Sequence, residues 1–249
     1  MPPLKWRRNP RLAIVAGVGR GGTHFIGRYF SGDRRVNLRQ ESPETFGRLR
    51  DLATTSEFDE HKYSQLIAEY TALSYARRLV VDKSHPSIWF VERLIRDLPH
   101  VKFIATMRDP LQVVNSMLNH SGVLKWYEVL DLTRPLPFLG IDESNVESFA
   151  DLPLHEKCVW KWISHARRIR ELESLYPNAF RVYRFDDLVT DADACYVDMC
   201  AHLEIKPRKI GVVPAVSTLT KYKQLEEEQI VRIRELVIEQ GLGSEMNVS

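Results

Sequence analysis

One glycine-rich segment constrains the fold of this chain more than any other part of its sequence. The segment spans residues 17–24 (GVGRGGTH), follows the apolar run 12–16 and precedes the apolar-spaced run 25–30. Glycines allow a tight backbone turn and leave its N–H groups uncovered. The order predicts a strand, a turn and a helix, and the helix N-terminus after such a turn favours binding of a phosphate-like anion.

The segment departs from the nucleotide-binding pattern GxxxxGK[ST] in an informative way. Gly17 and Gly22 have the separation of that pattern, but Thr23 follows Gly22 directly, so the lysine that reaches terminal phosphates is absent. A cation, Arg20, stands inside the turn instead. The turn alone leaves two interpretations open: an anion site, or an ordinary glycine-rich connection between a strand and a helix.

The composition argues against several classes of protein. The 249 residues carry 35 basic and 33 acidic side chains, a formal charge of +2, so bulk charge does not indicate a nucleic-acid partner. No apolar run approaches the length of a membrane-spanning helix. The three cysteines, Cys158, Cys195 and Cys200, form no CxxC pair and suit a reducing compartment. We therefore expect a cytoplasmic protein without an integral membrane segment.

Short apolar runs alternate with segments of helical spacing, which is typical of a parallel sheet covered by helices. Strands are predicted at 12–16, 36–38, 79–81, 101–107 and 180–185. Helices are predicted at 25–30, 58–78, 88–98, 110–117, 155–175, 187–203 and 223–240. The predicted fold class is α/β, with a central, mostly parallel sheet flanked by helices.

Residues 119–153 interrupt this alternation. They contain Pro135, Pro137, Gly140 and Pro153 among mixed charges and aromatic side chains. The pattern predicts a long irregular excursion of the chain. Two interpretations of this segment stay open: it covers a binding cleft, or it is a flexible insertion on the surface.

Functional side chains cluster where the predicted strands end. Glu41 follows the second strand, Lys83 and His85 follow the third, and Arg108 follows the fourth, with Ser116 eight positions later. Loops at the carboxyl ends of parallel strands line the ligand crevice of an open sheet. Arg108 suits phosphate recognition, and its guanidinium could share a phosphate with the Ser116 hydroxyl. The alternative role for Arg108 is a structural ion pair with a nearby carboxylate.

Three segments together resemble the signature blocks of one enzyme family, the sulfotransferases that use 3′-phosphoadenosine 5′-phosphosulfate (PAPS). They are GVGRGGTH, DKSHP (82–86) and MRDPLQVVNS (107–116). Segment 182–188 is similar to the family's VRYEDL block and 221–223 to its C-terminal KW region, with blocks like those of tyrosylprotein and carbohydrate enzymes. The resemblance covers about residues 12–240. It implies a three-layer, P-loop-like fold and a single sulfotransferase domain over residues 1–249, with an acceptor-covering insertion at about 119–153.

The resemblance also implies roles, one position at a time. The family's loop for the 5′-phosphosulfate corresponds to Gly19, Arg20, Gly21, Gly22, Thr23 and His24. Within it, Arg20 stands beside the transferred sulfuryl group, and Lys83 faces the same leaving group. The other implied donor-binding positions are Arg108, Ser116, Tyr183 and Lys221.

Two residues compete for the role of catalytic base. Glu41 lies twenty-one residues after Arg20, close to the separation that tyrosylprotein sulfotransferases use for their catalytic glutamate. His85 stands where cytosolic sulfotransferases keep a catalytic histidine in a KTH block. We favour Glu41, because a strand-end carboxylate beside a substrate is hard to explain structurally, whereas His85 could be a turn residue.

The expected activity is transfer of a sulfuryl group from PAPS to an acceptor hydroxyl, with release of adenosine 3′,5′-bisphosphate (PAP). A carbohydrate, a glycolipid or another small molecule is the favoured acceptor. No metal is expected, because Arg20, Lys83 and Arg108 meet the charge of the donor. Two alternatives remain, a P-loop nucleotide kinase or NTPase-like phosphotransferase and a non-catalytic nucleotide-binding protein. The sequence makes no prediction of oligomeric state.

Overall fold

The computed structural model of the chain describes residues 11–76, 78–98, 100–208 and 224–246. Its strands are β1 (Leu12–Gly17), β2 (Val36–Gln40), β3 (Leu79–Lys83), β4 (Lys102–Met107) and β5 (Phe180–Arg184). They form one five-stranded sheet in the order β2-β3-β1-β4-β5, and every neighbouring pair is parallel. The predicted α/β class and parallel sheet are confirmed.

The sheet separates two hydrophobic cores, one on each face, and its central strand β1 contributes to both. β1 (LAIVAG) is buried along its whole length, as expected of an apolar strand covered on both faces. Its side chains alternate, so that Leu12 and Ile14 join one cluster while Ala13 and Val15 join the other. Successive side chains of a strand point to opposite faces, and each face of the sheet therefore has its own core.

The helices divide between these two faces. The described helices are α1 (Thr23–Phe30), α2 (Arg48–Thr54), α3 (Glu60–Ser74), α4 (Val91–Asp97), α5 (Pro110–Leu118), α6 (Ser121–Val129), α7 (Val146–Phe149), α8 (Leu154–Leu175), α9 (Phe185–Thr190), α10 (Ala192–His202) and α11 (Glu227–Glu239). Buried residues of α1, α9 and α10 join the cluster of Ala13, and those of the other helices join the cluster of Leu12. The architecture is a three-layer helix–sheet–helix arrangement.

The strand order brings the candidate residues to one edge of the sheet. β3, β1 and β4 are neighbours, and they run in the same direction. The chain leaves them through the turns that begin after Gly17, Lys83 and Met107. These turns share the carboxyl edge, where open α/β sheets bind their ligands.

The prediction of an irregular excursion over residues 119–153 is wrong in part. The segment contains α6, α7 and a 3₁₀ turn at Pro137–Leu139, and Val123, Phe138 and Ile141 are buried in the core. The N-terminus of α6 is capped by His120, whose Nδ1 accepts the Val123 N–H at 3.2 Å. A nine-residue helix beside a proline-rich stretch gives too short a periodic signal to be recognised.

Two other helix predictions need correction. The helix predicted over 187–203 is two helices, because Asp191 ends α9 and its carboxylate accepts the Ala194 N–H at the start of α10, as an N-cap does. The helix predicted from residue 88 begins with a 3₁₀ turn, His85–Phe90, before α4. Residues 1–10 and the KW-like segment 221–223 lie outside the described residues.

In the part of the chain that the structure covers, no helix has both the length and the apolar character needed to cross a membrane.

Candidate active site

The turn between β1 and α1 requires glycine at the positions that close it. Gly22 has φ of +101°, and a Cβ placed on it would overlap the ring of Phe185. A Cβ on Gly21 would lie 2.6 Å from Cγ1 of Val18, whose carbonyl accepts the Gly21 N–H at 3.0 Å. Arg20 adopts φ of +73°, a conformation that costs a non-glycine residue on the order of 1–3 kcal/mol and concentrates at ligand sites.

The first turn of α1 has the properties of an anion site. The helix begins at Thr23, its N-cap Gly22 provides no side-chain cap, and its first turn contains no acidic residue. The unsatisfied N–H groups of a helix N-terminus carry partial positive charge. A phosphate held by this turn would therefore find backbone donors without competition from a carboxylate.

Lys83, Glu41 and His24 form a compact polar cluster beside the turn. Lys83 ends β3, only 1% of its side chain is exposed, and its Nζ donates a hydrogen bond to Glu41 Oε1. His24 Nε2 lies 3.0 Å from Lys83 Nζ and 3.4 Å from Glu41 Oε1. Burial lowers the pKa of Lys83. The hydrogen bonds from His24 and Lys83 hold the pKa of Glu41 far below its usual range.

Glu41 is held towards this cluster by its backbone. Its φ is +54°, in the left-handed region, and its N–H donates to the Lys83 carbonyl at 3.0 Å. The peptide that follows β2 thus stays attached to the end of β3. The sequence places Glu41 and Lys83 on separate strand ends, and the structure brings their side chains into direct contact.

Arg20, Arg108 and Ser116 meet on the other side of the turn. Arg20 Nε donates to Ser116 Oγ at 3.1 Å, and Arg108 Nη1 donates to the Arg20 carbonyl at 3.3 Å. Arg108 also donates to Gln112 Oε1 at 2.9 Å, and its guanidinium lies 4.1 Å from the Phe185 ring centroid. Burial lowers the pKa of Arg108 to about 10, so it remains a cation at neutral pH.

His85 lies beneath the turn rather than on the surface. Its side chain is 4% exposed, and a Cβ placed on Gly19 would lie 3.3 Å from its Nε2. Among the described residues, its buried Nδ1 has no hydrogen-bond partner. Burial, together with Lys83 and Lys161, lowers the pKa of His85 well below the usual value. The imidazole is therefore neutral at physiological pH.

A cavity of about 140 Å³ opens next to this constellation. Its lining combines the glycine turn with polar and aromatic side chains: Gly19, Arg20, His24, Glu41, Phe46, Lys83, His85, His120, Gly122, Val123 and Trp126. All four residues predicted to be catalytic line it. The first part of the 119–153 segment, α6 with its cap, contributes His120, Gly122, Val123 and Trp126 to the lining.

Two residues predicted to bind the donor are not placed in this constellation. The Tyr183 hydroxyl donates to Asp198 Oδ2 on α10 at 2.6 Å, and the side chain packs in the core that α1 and α10 share. Lys221 lies outside the described residues. A role for either in donor binding stays a prediction.

Sequence reasoning missed His120 and Phe46 as cavity residues. His120 precedes a short helix, and no motif marks it. Phe46 lies in a π-helical turn, Pro43–Gly47, which follows Glu41 closely in the chain. Closeness to a proposed catalytic residue is the signal that could have identified Phe46. Within the described ranges, no group of three or more His, Cys, Asp and Glu side chains is arranged to hold a metal ion.

Comparisons with known proteins address the family and the fold of the chain. A family model described as "Sulfotransferase domain" matches residues 10–244. No curated protein sequence matches the chain significantly.

Solved structures share the fold at low sequence identity. A sulfotransferase from Alicyclobacillus acidocaldarius is 16% identical with a TM-score of 0.58, and the match covers 94% of this chain and 93% of that one. The sulfotransferase domain of the Synechococcus PCC 7002 olefin synthase is 13% identical with a TM-score of 0.58, covering 93% and 96%. A mouse sulfotransferase complexed with PAP is 14% identical with a TM-score of 0.54, covering 94% and 84%.

Proposed function

This chain belongs to the sulfotransferase domain family, and on that premise we propose that it transfers a sulfuryl group from PAPS to an acceptor hydroxyl. One observation carries the proposal: Arg108 Nη1 reaches the Arg20 carbonyl at 3.3 Å. The turn after β4 and the glycine turn after β1 are therefore in contact. A donor with phosphates on both the 3′ and the 5′ oxygen of its ribose needs two such adjacent anion sites.

The residues fit the donor in chemistry as well as position. The glycine turn and the uncapped start of α1 would hold the 5′-phosphosulfate, with Gly19, Gly22 and Thr23 contributing backbone donors. Arg108 and Ser116 would hold the 3′-phosphate, since a guanidinium matches the oxygen geometry of a phosphate. The PAP complex of the mouse structure supports a donor of this class.

Lys83 and Arg20 would stabilise the leaving group. In the transfer, the acceptor oxygen bonds to sulfur while the bond from sulfur to the 5′-phosphate oxygen breaks. Negative charge then grows on that phosphate oxygen, and fixed cations stabilise this state more than the ground state. A lysine ammonium has three N–H donors. Its bond to Glu41 leaves a donor for the leaving oxygen.

We propose Glu41 as the base that takes the acceptor proton, and His85 as the alternative. Glu41 lines the cavity and 36% of its side chain is exposed, so an acceptor can reach it. Its lowered pKa makes it a weak base while Lys83 and His24 bond to it. A shift of Lys83 towards the phosphosulfate would weaken that bond and raise the basicity of Glu41 when the donor is present.

We propose a hydroxyl-bearing small molecule as the acceptor, with sugar hydroxyls favoured. The cavity combines the rings of Phe46 and Trp126 with the polar side chains of Glu41 and His120. Aromatic rings offer an apolar face and polar groups fix orientation, which is the usual composition of a small-molecule site. Val123 adds one aliphatic side chain to the lining of the cavity.

The test uses radiolabelled PAPS with a panel of hydroxyl compounds: methyl galactoside, a galactosyl lipid, glucosamine and 4-nitrophenol. We expect a labelled product without Mg²⁺. Thermal-shift measurements compare PAP with ATP plus Mg²⁺, and stronger stabilisation by PAP is expected. Greater stabilisation by ATP, or a strict metal requirement, would favour a nucleotide kinase and overturn the proposal. Tight PAP binding without any transfer would favour a non-catalytic nucleotide-binding protein.

Glu41→Gln and His85→Ala separate the two candidate bases. Both variants should still be stabilised by PAP, because neither side chain belongs to the proposed phosphate sites. We expect Glu41→Gln to lose turnover and His85→Ala to retain part of it. The reverse result would assign the base to His85, and full activity in both would remove both from the role.

A further inference from the structure

Lys161 is a buried cation whose charge has no ionic or hydrogen-bonded partner among the described residues. It lies on α8, its side chain is 0% exposed, and no hydrogen-bond partner of its Nζ is found there. The ammonium instead faces two aromatic rings, with the Nζ 4.3 Å from the centroid of Trp126 and 3.8 Å from that of Phe138. Such distances are within the range of a cation–π interaction, which strengthens when the cation is desolvated.

Trp126 connects this cation to the cavity. The indole belongs to α6 and lines the cavity together with Glu41 and His85. Its ring packs edge to face against Phe138, with centroids 4.8 Å apart, and lies 6.4 Å from the His85 ring. A change in the position of this indole therefore changes the shape of the space that an acceptor would fill.

Packing alone does not account for a lysine at this position. A buried charge without a counter-ion destabilises a folded protein, and burial lowers the pKa of Lys161 to about 7. An unbranched apolar side chain of the same length would fill the site without this penalty. What the ammonium adds is its attraction to the faces of Trp126 and Phe138.

We propose, resting on the function proposed above, that Lys161 is a positioning residue for the acceptor: its ammonium holds the Trp126 indole in place as a wall of the acceptor cavity. Lys161 itself does not line the cavity. It controls acceptor binding through the indole, and it leaves the phosphate sites of the donor unaffected. Phe138 completes the aromatic face against which the ammonium packs.

The titratable groups described around Lys161 have pKa values well away from 7. On α8, burial lowers the pKa of His165 to about 3 and raises that of Cys158 to about 11. On α6, burial raises the pKa of Tyr127 well above its usual value, and in the turn after β3 burial lowers that of His85 well below it. The 3₁₀ turn that carries Phe138 (PFL) has no titratable side chain. Near pH 7, Lys161 is therefore the member of this group that changes charge.

The first test observes the indole directly. In protein with isotope-labelled tryptophan, the Nε1 resonance of Trp126 is assigned by its loss in Trp126→Phe. We expect this resonance to shift with a midpoint near pH 7, and we expect Lys161→Met to abolish that step. Lys102→Met, which removes a lysine bonded to the Asn178 carbonyl at the opposite end of the sheet, should leave it intact. The same step in Lys161→Met, or no step in the wild type, would overturn the proposal.

The second test separates acceptor binding from donor binding. With the hydroxyl compound that is transferred most rapidly in the panel, Lys161→Met should raise the acceptor KM by about three- to tenfold, the range of a cation–π contact. The KM for PAPS, the PAP thermal shift and kcat should change less than about twofold. A loss of fold would instead reduce all of them together. Equal effects on both substrates, or no effect on either, would contradict the proposed role.

The pH profile and a double variant complete the kinetic test. The acceptor KM of the wild type should rise from about pH 6 to about pH 8 as the ammonium loses its proton, and that of Lys161→Met should stay flat over this step. Trp126→Leu combined with Lys161→Met should be no worse than Trp126→Leu alone, because the cation acts through the indole. Additive effects would refute the linkage.

Failure of this inference is distinguishable from failure of the proposed function. If the wild type is not stabilised by PAP and transfers no sulfate, the function is wrong, while the Trp126 resonance still reports whether the ammonium holds the indole. If the wild type is active and Lys161→Met is kinetically normal, the function stands and the inference is wrong.

Discussion

In the proposed reaction Lys83 has the central role, because its nearly fully buried ammonium contacts both a carboxylate and an imidazole. Its Nζ donates to Glu41, after β2, and lies 3.0 Å from His24 Nε2, in the first turn of α1. A lysine held in this way is a fixed point charge in a site of low solvent access. Electrostatic stabilisation of a leaving group is strongest under these conditions.

Lys83→Met should therefore abolish most of the transfer activity. Removal of one fixed donor at a developing negative charge typically reduces kcat by about a hundredfold or more. The pKa of Glu41 should rise towards its ordinary value, because Lys83 is one of the two side chains that lower it. The measurements are kcat with radiolabelled PAPS and the pH dependence of the Glu41 carboxyl resonance. Lys102→Met serves as control, and an unchanged kcat in Lys83→Met would contradict the role.

Arg108→Ala should weaken PAP binding sharply. A charge-assisted hydrogen bond to a phosphate contributes about 1.5–3 kcal/mol, so the Kd should rise by about tenfold or more. The measurement is a thermal-shift titration with PAP. Arg50→Ala is the matched control, since Arg50 is an exposed arginine of α2 paired with its neighbour Asp51. An affinity equal to that of the wild type would remove Arg108 from the donor site.

For individual residues, the sequence predicts which side chains gather at the candidate site better than it predicts the contacts between them. Arg20, Glu41, Lys83, His85 and Arg108 follow predicted strands in the sequence, and the structure brings them to one edge of the sheet. Ser116, on the helix after Arg108, joins them through its contact with Arg20. The direct contacts of Lys83 with Glu41 and of Arg20 with Ser116 were not predictable, because they depend on the left-handed backbone of Glu41 and Arg20. His120 carries no local signal, since its role as a helix cap is set by the fold around it.

The element that would position the proposed donor is the unit formed by β1, the glycine turn and α1. Gly22 combines a left-handed backbone with close contact to Phe185, and the Phe185 ring also lies under the Arg108 guanidinium. Phe185 therefore links the glycine turn to the turn after β4. A change at Gly22 affects both proposed phosphate sites.

Gly22→Ala should destabilise the protein and impair PAP binding at the same time. The alanine methyl meets the Phe185 ring, and the backbone conformation adds strain of about 1 kcal/mol or more. Gly32→Ala is the matched control, because Gly32 also has positive φ, +80°, but a Cβ there would meet nothing within 4 Å. Both variants should lower Tm, and only Gly22→Ala should reduce the PAP thermal shift. Equal PAP shifts in both would show that the Phe185 contact is unimportant for the site.

The α8 helix contacts residues of both the proposed donor site and the cavity. Trp162 Nε1 donates to the Arg108 carbonyl at 2.9 Å, and the preceding residue, Lys161, packs its ammonium against Trp126. The sequence predicts α8 well because it is long, 22 residues, with regular apolar spacing. It does not predict α6 or the break at Asp191, because short helices and side-chain caps give little periodicity.

At the scale of the whole molecule, the order of the strands creates the site. β1 lies between β3 and β4, so residues far apart in the chain, such as Arg20 and Ser116, come within hydrogen-bond distance. The alternating pattern of the sequence predicts parallel strands with their functional loops at one edge. The order of the strands comes from tertiary packing, and no local pattern specifies it.

The stability of the whole molecule should also respond to the charge at Lys161. Burial lowers its pKa to about 7 in the folded protein, whereas an unfolded lysine has a pKa of about 10.4. Between these values the unfolded chain binds more protons, so the stability of the wild type rises with pH across this window and is lowest below it. Replacement by an apolar side chain removes this penalty.

Lys161→Met should accordingly be more stable than the wild type below about pH 7, by about 1–3 kcal/mol, the range expected for a buried polar group without its hydrogen bonds. The cation–π attraction to Trp126 and Phe138 places the expected value at the lower end of that range. The difference in Tm between the two proteins should then shrink as the pH rises from about 7 to about 10. Differential scanning calorimetry of both proteins across this pH range measures the difference. A variant that is less stable than the wild type at low pH would show that the ammonium stabilises the fold. A difference that does not change with pH would show that burial does not shift the ionisation of Lys161.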